Sequence, residues 1–192
     1  MTPSGRATGR RRDGPERDGP ERDGQRSLVY DAEQLVRGAF DRAVDGRSAA
    51  TVQVAGSTVT LPVERRFASV ESVQAYLAAV TALPWIRARW PRAVEPVTVR
   101  ARAGAGRAHY ERAGAVLAVP VGRDADGRPW ALRELVVLHE LAHHLAADDQ
   151  LRLAPHGPAF VGRFLDLVDG VIGPEAAFLL RVTLLQLGAQ VG

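Results

Sequence analysis

The chain reads as an α+β domain in which a small antiparallel sheet packs on a helix carrying a metal-binding signature, with further helices on either side. Three observations predict this. Apolar residues recur at helical spacing before residue 45, from Ser69 to Leu83 and after Pro129. Val52 to Leu61 and Val97 to Val121 instead contain the short alternating runs of strands, so helices flank a strand-rich middle. The third is the segment His139-Glu140-Leu141-Ala142-His143, preceded by the apolar run Leu135 to Leu138, which belongs on a helix buried on most sides.

The head, Met1 to Ser27, is rich in Arg, Asp, Gly and Pro, and residues 13–24 repeat the unit Asp-Gly-Pro-Glu-Arg. It has almost no apolar surface to offset the entropy of ordering, so residues 1–27 are expected to form a disordered tail and residues 28–192 a single domain. Asp31 can cap a helix to about Val44 with Leu35, Val36, Ala39 and Phe40 inward, and Asp45-Gly46 stops it. Val52 to Leu61 is a strand or a short hairpin turning at Gly56-Ser57. Ser69 caps a helix through Leu83 that Pro84 ends.

Val97 to Arg100 reads as a strand, Gly104-Ala105-Gly106 as a loop, and Ala108 to Arg112 with Ala115 to Val121 as strands joined through Gly114. Asp124-Ala125-Asp126-Gly127 is a turn and not a calcium loop, because the remaining ligands of that motif are missing. The signature helix is expected from about Pro129 to Ala147. Pro158 and Pro174 suit the first turns of two more helices, through Val168 and to about Leu187.

Composition narrows the function. With no cysteine, disulfides and thiolate metal sites are excluded. No stretch approaches the roughly 18 apolar residues of a membrane span, and no hydrophobic segment follows Arg10-Arg11-Arg12 as an export signal requires. A soluble cytoplasmic protein is the expectation. The net charge is +3 and every basic residue is arginine, scattered without a basic stripe interleaved with aromatics. Nucleic acid is therefore a weakly supported partner, and a peptide or protein substrate the better one.

Histidines four apart on a helix share a face, so His139 and His143 can reach one zinc ion. Glu140 lies about 100° further round, where a carboxylate can meet a water beside that ion. A buried helix bearing two histidines and a glutamate is costly unless they are paired or bind a metal. A catalytic zinc takes three protein ligands and leaves one position open. His156, in the loop segment before Pro158, is the leading third ligand, and Glu175 near the start of the last helix is the alternative. Asp148 and Asp149 suit the end of the signature helix. His144, turned about 100° from His143, is a buried polar residue and not a ligand. His109 and Tyr110, in the strand segment before the helix, either stabilise an oxyanion or simply pack the strand.

The pair His139-Glu140-Leu141-Ala142-His143 and His156-Gly157-Pro158-Ala159-Phe160 resembles SprT-like zinc metalloproteases, which combine HExxH with a later His-Gly-x-x-Phe or His-Gly-x-x-Trp. The compact arrangement and arginine-rich composition look still more like small actinobacterial metallohydrolases. The specific resemblance spans Leu132 to Leu165. It implies a zincin-like fold, one catalytic Zn²⁺ on His139, His143 and His156, and Glu140 as general base. Nothing matches the DNA-binding segments of longer relatives. Metzincins fit poorly, since Ala146 stands where their glycine belongs and Met1 is the only methionine. The expected function is a zinc-dependent hydrolase, foremost a metallopeptidase. The alternatives are a non-catalytic metal-dependent peptide-binding module and a DNA-associated SprT-like protease.

Overall fold

A computed structural model describes residues 22–44, 50–104, 106–123, 127 and 129–192. The expected tail up to residue 21, the Asp45-Gly46 stop, Ala105 of the expected loop and most of the Asp124 to Gly127 turn lie outside the described residues. Arg22 to Ser27, assigned to the tail above, are described, and the first helix, α1 (Arg26–Val44), already includes Arg26 and Ser27. Asp31 is thus inside α1 and not its cap. Val29, Ala32, Val36, Ala39 and Phe40 form its buried stripe, whereas Leu35, expected inward, is 56% exposed.

A hairpin follows, β1 (Thr51–Val54) and β2 (Ser57–Thr60), paired antiparallel. Its turn places Ala55 and Gly56 at φ 49° and 81°, the left-handed pair that a two-residue hairpin demands. Helix α2 (Val70–Thr81) starts at Ser69, which with Ser72 forms a reciprocal capping box. Pro84 does not merely end that helix; it begins α3 (Pro84–Arg89), because proline at the first helical position costs no hydrogen bond.

The central sheet differs from the expected antiparallel one. It contains β3 (Thr98–Arg102), β4 (His109–Glu111) and β5 (Val116–Pro120) in the order β3-β5-β4. The β4–β5 pair is antiparallel, joined through Arg112–Gly114 with Ala115 left-handed at φ 48°, while β3 runs parallel to β5, so the sheet is mixed. Alternation tells which residues share a face and not which strand lies beside which.

Helix α4 (Glu134–His144) carries the signature and is shorter at both ends than expected. Residues before it stay extended because they bond to a neighbouring segment: Phe67 donates to Leu132 O at 2.9 Å and Glu134 N to Arg65 O at 3.0 Å. The first turn is capped from a distance, Glu64 accepting the Leu135 N–H at 3.1 Å and the Arg133 Nε–H at 3.0 Å. Glu64 and Arg133 are 5% and 3% exposed, so each charge depends on the other. Glu134 is fully buried and accepts from Tyr76 Oη at 2.8 Å, Arg65 N at 3.0 Å and the Arg65 guanidinium. Two carboxylates at the positive end of α4 also complement its dipole. Helices α5 (Pro158–Val171) and α6 (Pro174–Gln186) complete the domain near the expected bounds. Phe160, Phe164, Leu167 and Leu180 join α4 in one core, giving an α+β architecture. No helix among the described residues is long and apolar enough to cross a membrane.

Candidate metal centre

His139 and His143 project from one face of α4, and the loop before α5 brings His156 against them. One ring nitrogen from each lies within 4.8 Å of the other two, and the Nε2 atoms of His139 and His156 are 3.3 Å apart. Phe160 packs against all three rings and is stacked on His143 at 4.4 Å. Gly157 meets Ala154 closely enough that a Cβ would lie 3.1 Å from Ala154 O, which explains a glycine next to His156.

Behind the histidines stand two carboxylates that the sequence analysis did not single out. Asp23 accepts the His156 N–H at 3.1 Å and its Nδ1–H at 2.8 Å. Glu33, on α1, puts Oε2 3.0 Å from His139 Nδ1, close enough for strong charge attraction but out of line for a hydrogen bond, leaving that buried nitrogen without an aligned acceptor. Such partners set which nitrogen carries the proton. With Nδ1 protonated on both rings, two Nε2 lone pairs face each other and repel unless a cation lies between them. A proton can serve: Glu33 draws one onto His139 against the opposing effect of burial, raising its pKa. His143 and His156 are pushed the other way, by burial first and by the His139 charge second. Neutral imidazoles offering lone pairs to one point, backed by carboxylates, fit a zinc ion.

Glu140 is 3% exposed and lines the cleft that opens over the histidines. Burial pushes its pKa up to about 7, with the charge of Glu33 adding to the effect and the charge of His139 and the Tyr110 N–H opposing it. A cation on the neighbouring histidines would draw it back down. The cleft has a volume of about 380 Å³, the size of a small-molecule or short-peptide site.

His109 and Tyr110 line this cleft from β4, yet their polar groups are engaged elsewhere. Tyr110 Oη bonds His144 Nδ1 at 2.9 Å, and His109 Nε2 meets Glu111 at 3.0 Å. His144 is fully buried, with Nε2 3.2 Å from Glu95 O, as suits a structural residue. Glu175 is exposed at the start of α6 and outside the group of ligand atoms. Asp148 pairs with Arg92 and Arg112 beyond the end of α4.

Tyr30 is a further site residue that sequence reasoning missed. Its ring stacks on His139 at 5.1 Å and 21°, and it lines the cleft beside Glu140. Burial, then the charges of Glu140 and Glu33, hold its hydroxyl protonated by raising its pKa. Comparison with protein-family models, curated proteins and solved structures finds no match to this chain.

Proposed function

We propose that this protein is a zinc-dependent hydrolase of zincin-like type, most simply a metallopeptidase, with His139, His143 and His156 as ligands and Glu140 as general base. The observation that carries it is the convergence of three imidazoles, two of them backed by carboxylates, beside a buried glutamate that lines the adjoining cleft. The motif pair that resembles SprT-like proteases supports peptide bonds as the target.

When bound, zinc would supply Lewis acidity and bring the pKa of a water in the cleft toward about 7. Glu140 takes a proton from the attacking water and returns it to the leaving amine. Its burial keeps competing solvent away. Tyr30, with its hydroxyl protonated, can donate to the oxygen on which negative charge develops. Asp23 and Glu33 hold the imidazoles in place.

The test is cleavage of a mixed peptide library, read by mass spectrometry, with zinc-loaded wild type and E140Q. The expected result is new termini from the wild type only, with about one zinc per chain in both, as three ligands around one ion imply. Equal cleavage by E140Q, or a wild type unable to retain zinc, would overturn the proposal.

A further inference from the structure

Arg163 is a buried cation with no carboxylate partner among the described residues. It projects from the inner face of α5 among Phe160, Phe164 and Leu167, is 6% exposed, and lines the same cleft as His143, His156 and Glu140. Among the described residues its hydrogen bonds go to neutral acceptors, Nη1 to Ala142 O at 3.1 Å and Nη2 to Gln150 Oε1. A guanidinium carries five N–H donors, so these two bonds leave three. The Ala142 carbonyl belongs to the end of α4, whose dipole offsets only about half a charge. The charge felt by Arg163 is that of a second cation, Arg112, which also lines the cleft and is itself paired with Asp148.

The other arginines on this chain's buried surfaces are treated differently. Arg133 is clamped by Glu64 and Asp41, and the half-buried Arg37 has Glu33 at 3.8 Å. Arg26 also lines the cleft, whereas Glu140 is its sole carboxylate among the described residues. Burying a cation without a counter-ion costs several kcal/mol in general, and a site that carries this cost beside a reaction centre is arranged for an anion that comes and goes. Guanidinium is also the group best matched to a carboxylate, through paired N–H donors.

We propose that the cleft binds substrates bearing a carboxylate close to the scissile bond, with Arg163 as its partner and Arg26 adding to the attraction. This rests on the hydrolase reading for the reaction, though not for the anion site itself. A cleft of about 380 Å³ leaves room for roughly two residues around the reacting carbonyl. The carboxylate is then either a free chain terminus or an acidic side chain, and Gln150 and the apolar wall of Leu153, Ala154 and Ala159 complete its surroundings.

The experiment measures binding to the metal-free full chain, so that carboxylate capture by a metal does not contribute. Three probes are titrated by calorimetry: acetyl-dialanine as free acid, its C-terminal amide, and acetyl-alanyl-glutamyl amide. The free acid or the glutamyl amide is expected to bind at least about tenfold more tightly than the neutral amide, and which one does so identifies the source of the carboxylate. R163Q should erase the preference and R163K should restore part of it, both retaining the wild-type melting profile and zinc capacity. Equal binding of all three probes by the wild type overturns the proposal, as does a preference that survives in R163Q. Should R163Q misfold, R163K and the wild-type probe series still decide. Zinc retention measured on the same preparations separates the two ideas: zinc held without carboxylate preference sinks only the anion site, and the preference without zinc sinks only the hydrolase.

Discussion

Asp23 grips His156 twice, through its main-chain N–H at 3.1 Å and its ring Nδ1 at 2.8 Å. The residue that fixes the third imidazole therefore comes from 133 positions earlier in the chain, just ahead of α1. Loss of a carboxylate behind a metal-binding histidine typically costs about 10–100-fold in metal affinity. Asp23→Asn should weaken zinc binding by that order, measured by competition with a chromophoric chelator, while the thermal midpoint of the metal-free protein moves little. An unchanged affinity would show that Asp23 only anchors the chain.

The choice of third ligand is settled by stoichiometry. His156→Ala should lower zinc affinity more than Asp23→Asn does, because it removes a ligand and not its support. Glu175→Ala should retain about one zinc per chain, since three protein ligands suffice for one ion and Glu175 is exposed and outside the group. Elemental analysis after gel filtration distinguishes them, and zinc lost from Glu175→Ala alone would reverse the assignment.

Tyr30→Phe removes only a hydroxyl from a ring that stacks on His139. If that hydroxyl meets developing negative charge, kcat should fall about tenfold or more, within the range for oxyanion donors, with KM and zinc content nearly constant. A change in KM alone would assign Tyr30 to substrate binding instead.

The ion pair at the start of α4 predicts a stability effect independent of any metal. Glu64→Ala strands the buried Arg133 guanidinium, whose remaining carboxylate is Asp41 at 3.2 Å. Removing one partner of a buried pair costs about 3–5 kcal/mol, and the lower end applies here because Asp41 stays. Replacing both Glu64 and Arg133 with leucine and methionine should cost less than Glu64→Ala alone. Urea titrations of the single and double variants check the order.

Asp41 gives the pH dependence its sign. Burial alone would raise its pKa, but Arg133 and Arg66 outweigh that and hold it below the ordinary 3.8. Its contribution is fully present above that value and is lost as pH falls through the lowered folded value. Asp41 is about a third exposed, so solvent screening keeps the effect to about 1 kcal/mol or less. The difference in melting temperature between wild type and Asp41→Asn should shrink steadily below pH 3.8. A difference that persists there would mean that the amide perturbs packing and not charge.

Much of this molecule can be read from its residues, and the failures share a cause. The helix starts at Ser69, Pro158 and Pro174 depend on neighbours a few positions away and stand where local rules put them, while the hairpin turns at Ala55-Gly56, one residue before the expected Gly56-Ser57. The α4 start at Glu134 instead of near Pro129 depends on Glu64 and Arg65, and the parallel pairing of β3 with β5 depends on the whole chain. At the site, the spacing of His139 and His143 makes them neighbours, whereas Asp23 carries no local sign of its role. Glu33 and Arg163 did leave a trace. Each interrupts an apolar stripe, Glu33 between Val29 and Val36 and Arg163 between Phe160 and Leu167. A charge on an inward-facing helix position demands a partner, which for Glu33 is His139.

The cap that Glu64 provides for α4 limits how portable the signature is. An isolated peptide over the 11 residues Glu134–His144 would have no acceptor for its first amides and would fall short of the roughly 12–15 residues at which even favourable helices persist in water. Transplanting those residues into another scaffold would carry the letters without the Glu64 anchor from 71 positions upstream. The histidines can therefore gather only once the distant halves of the chain have met, which would tie acquisition of any ion to completion of folding.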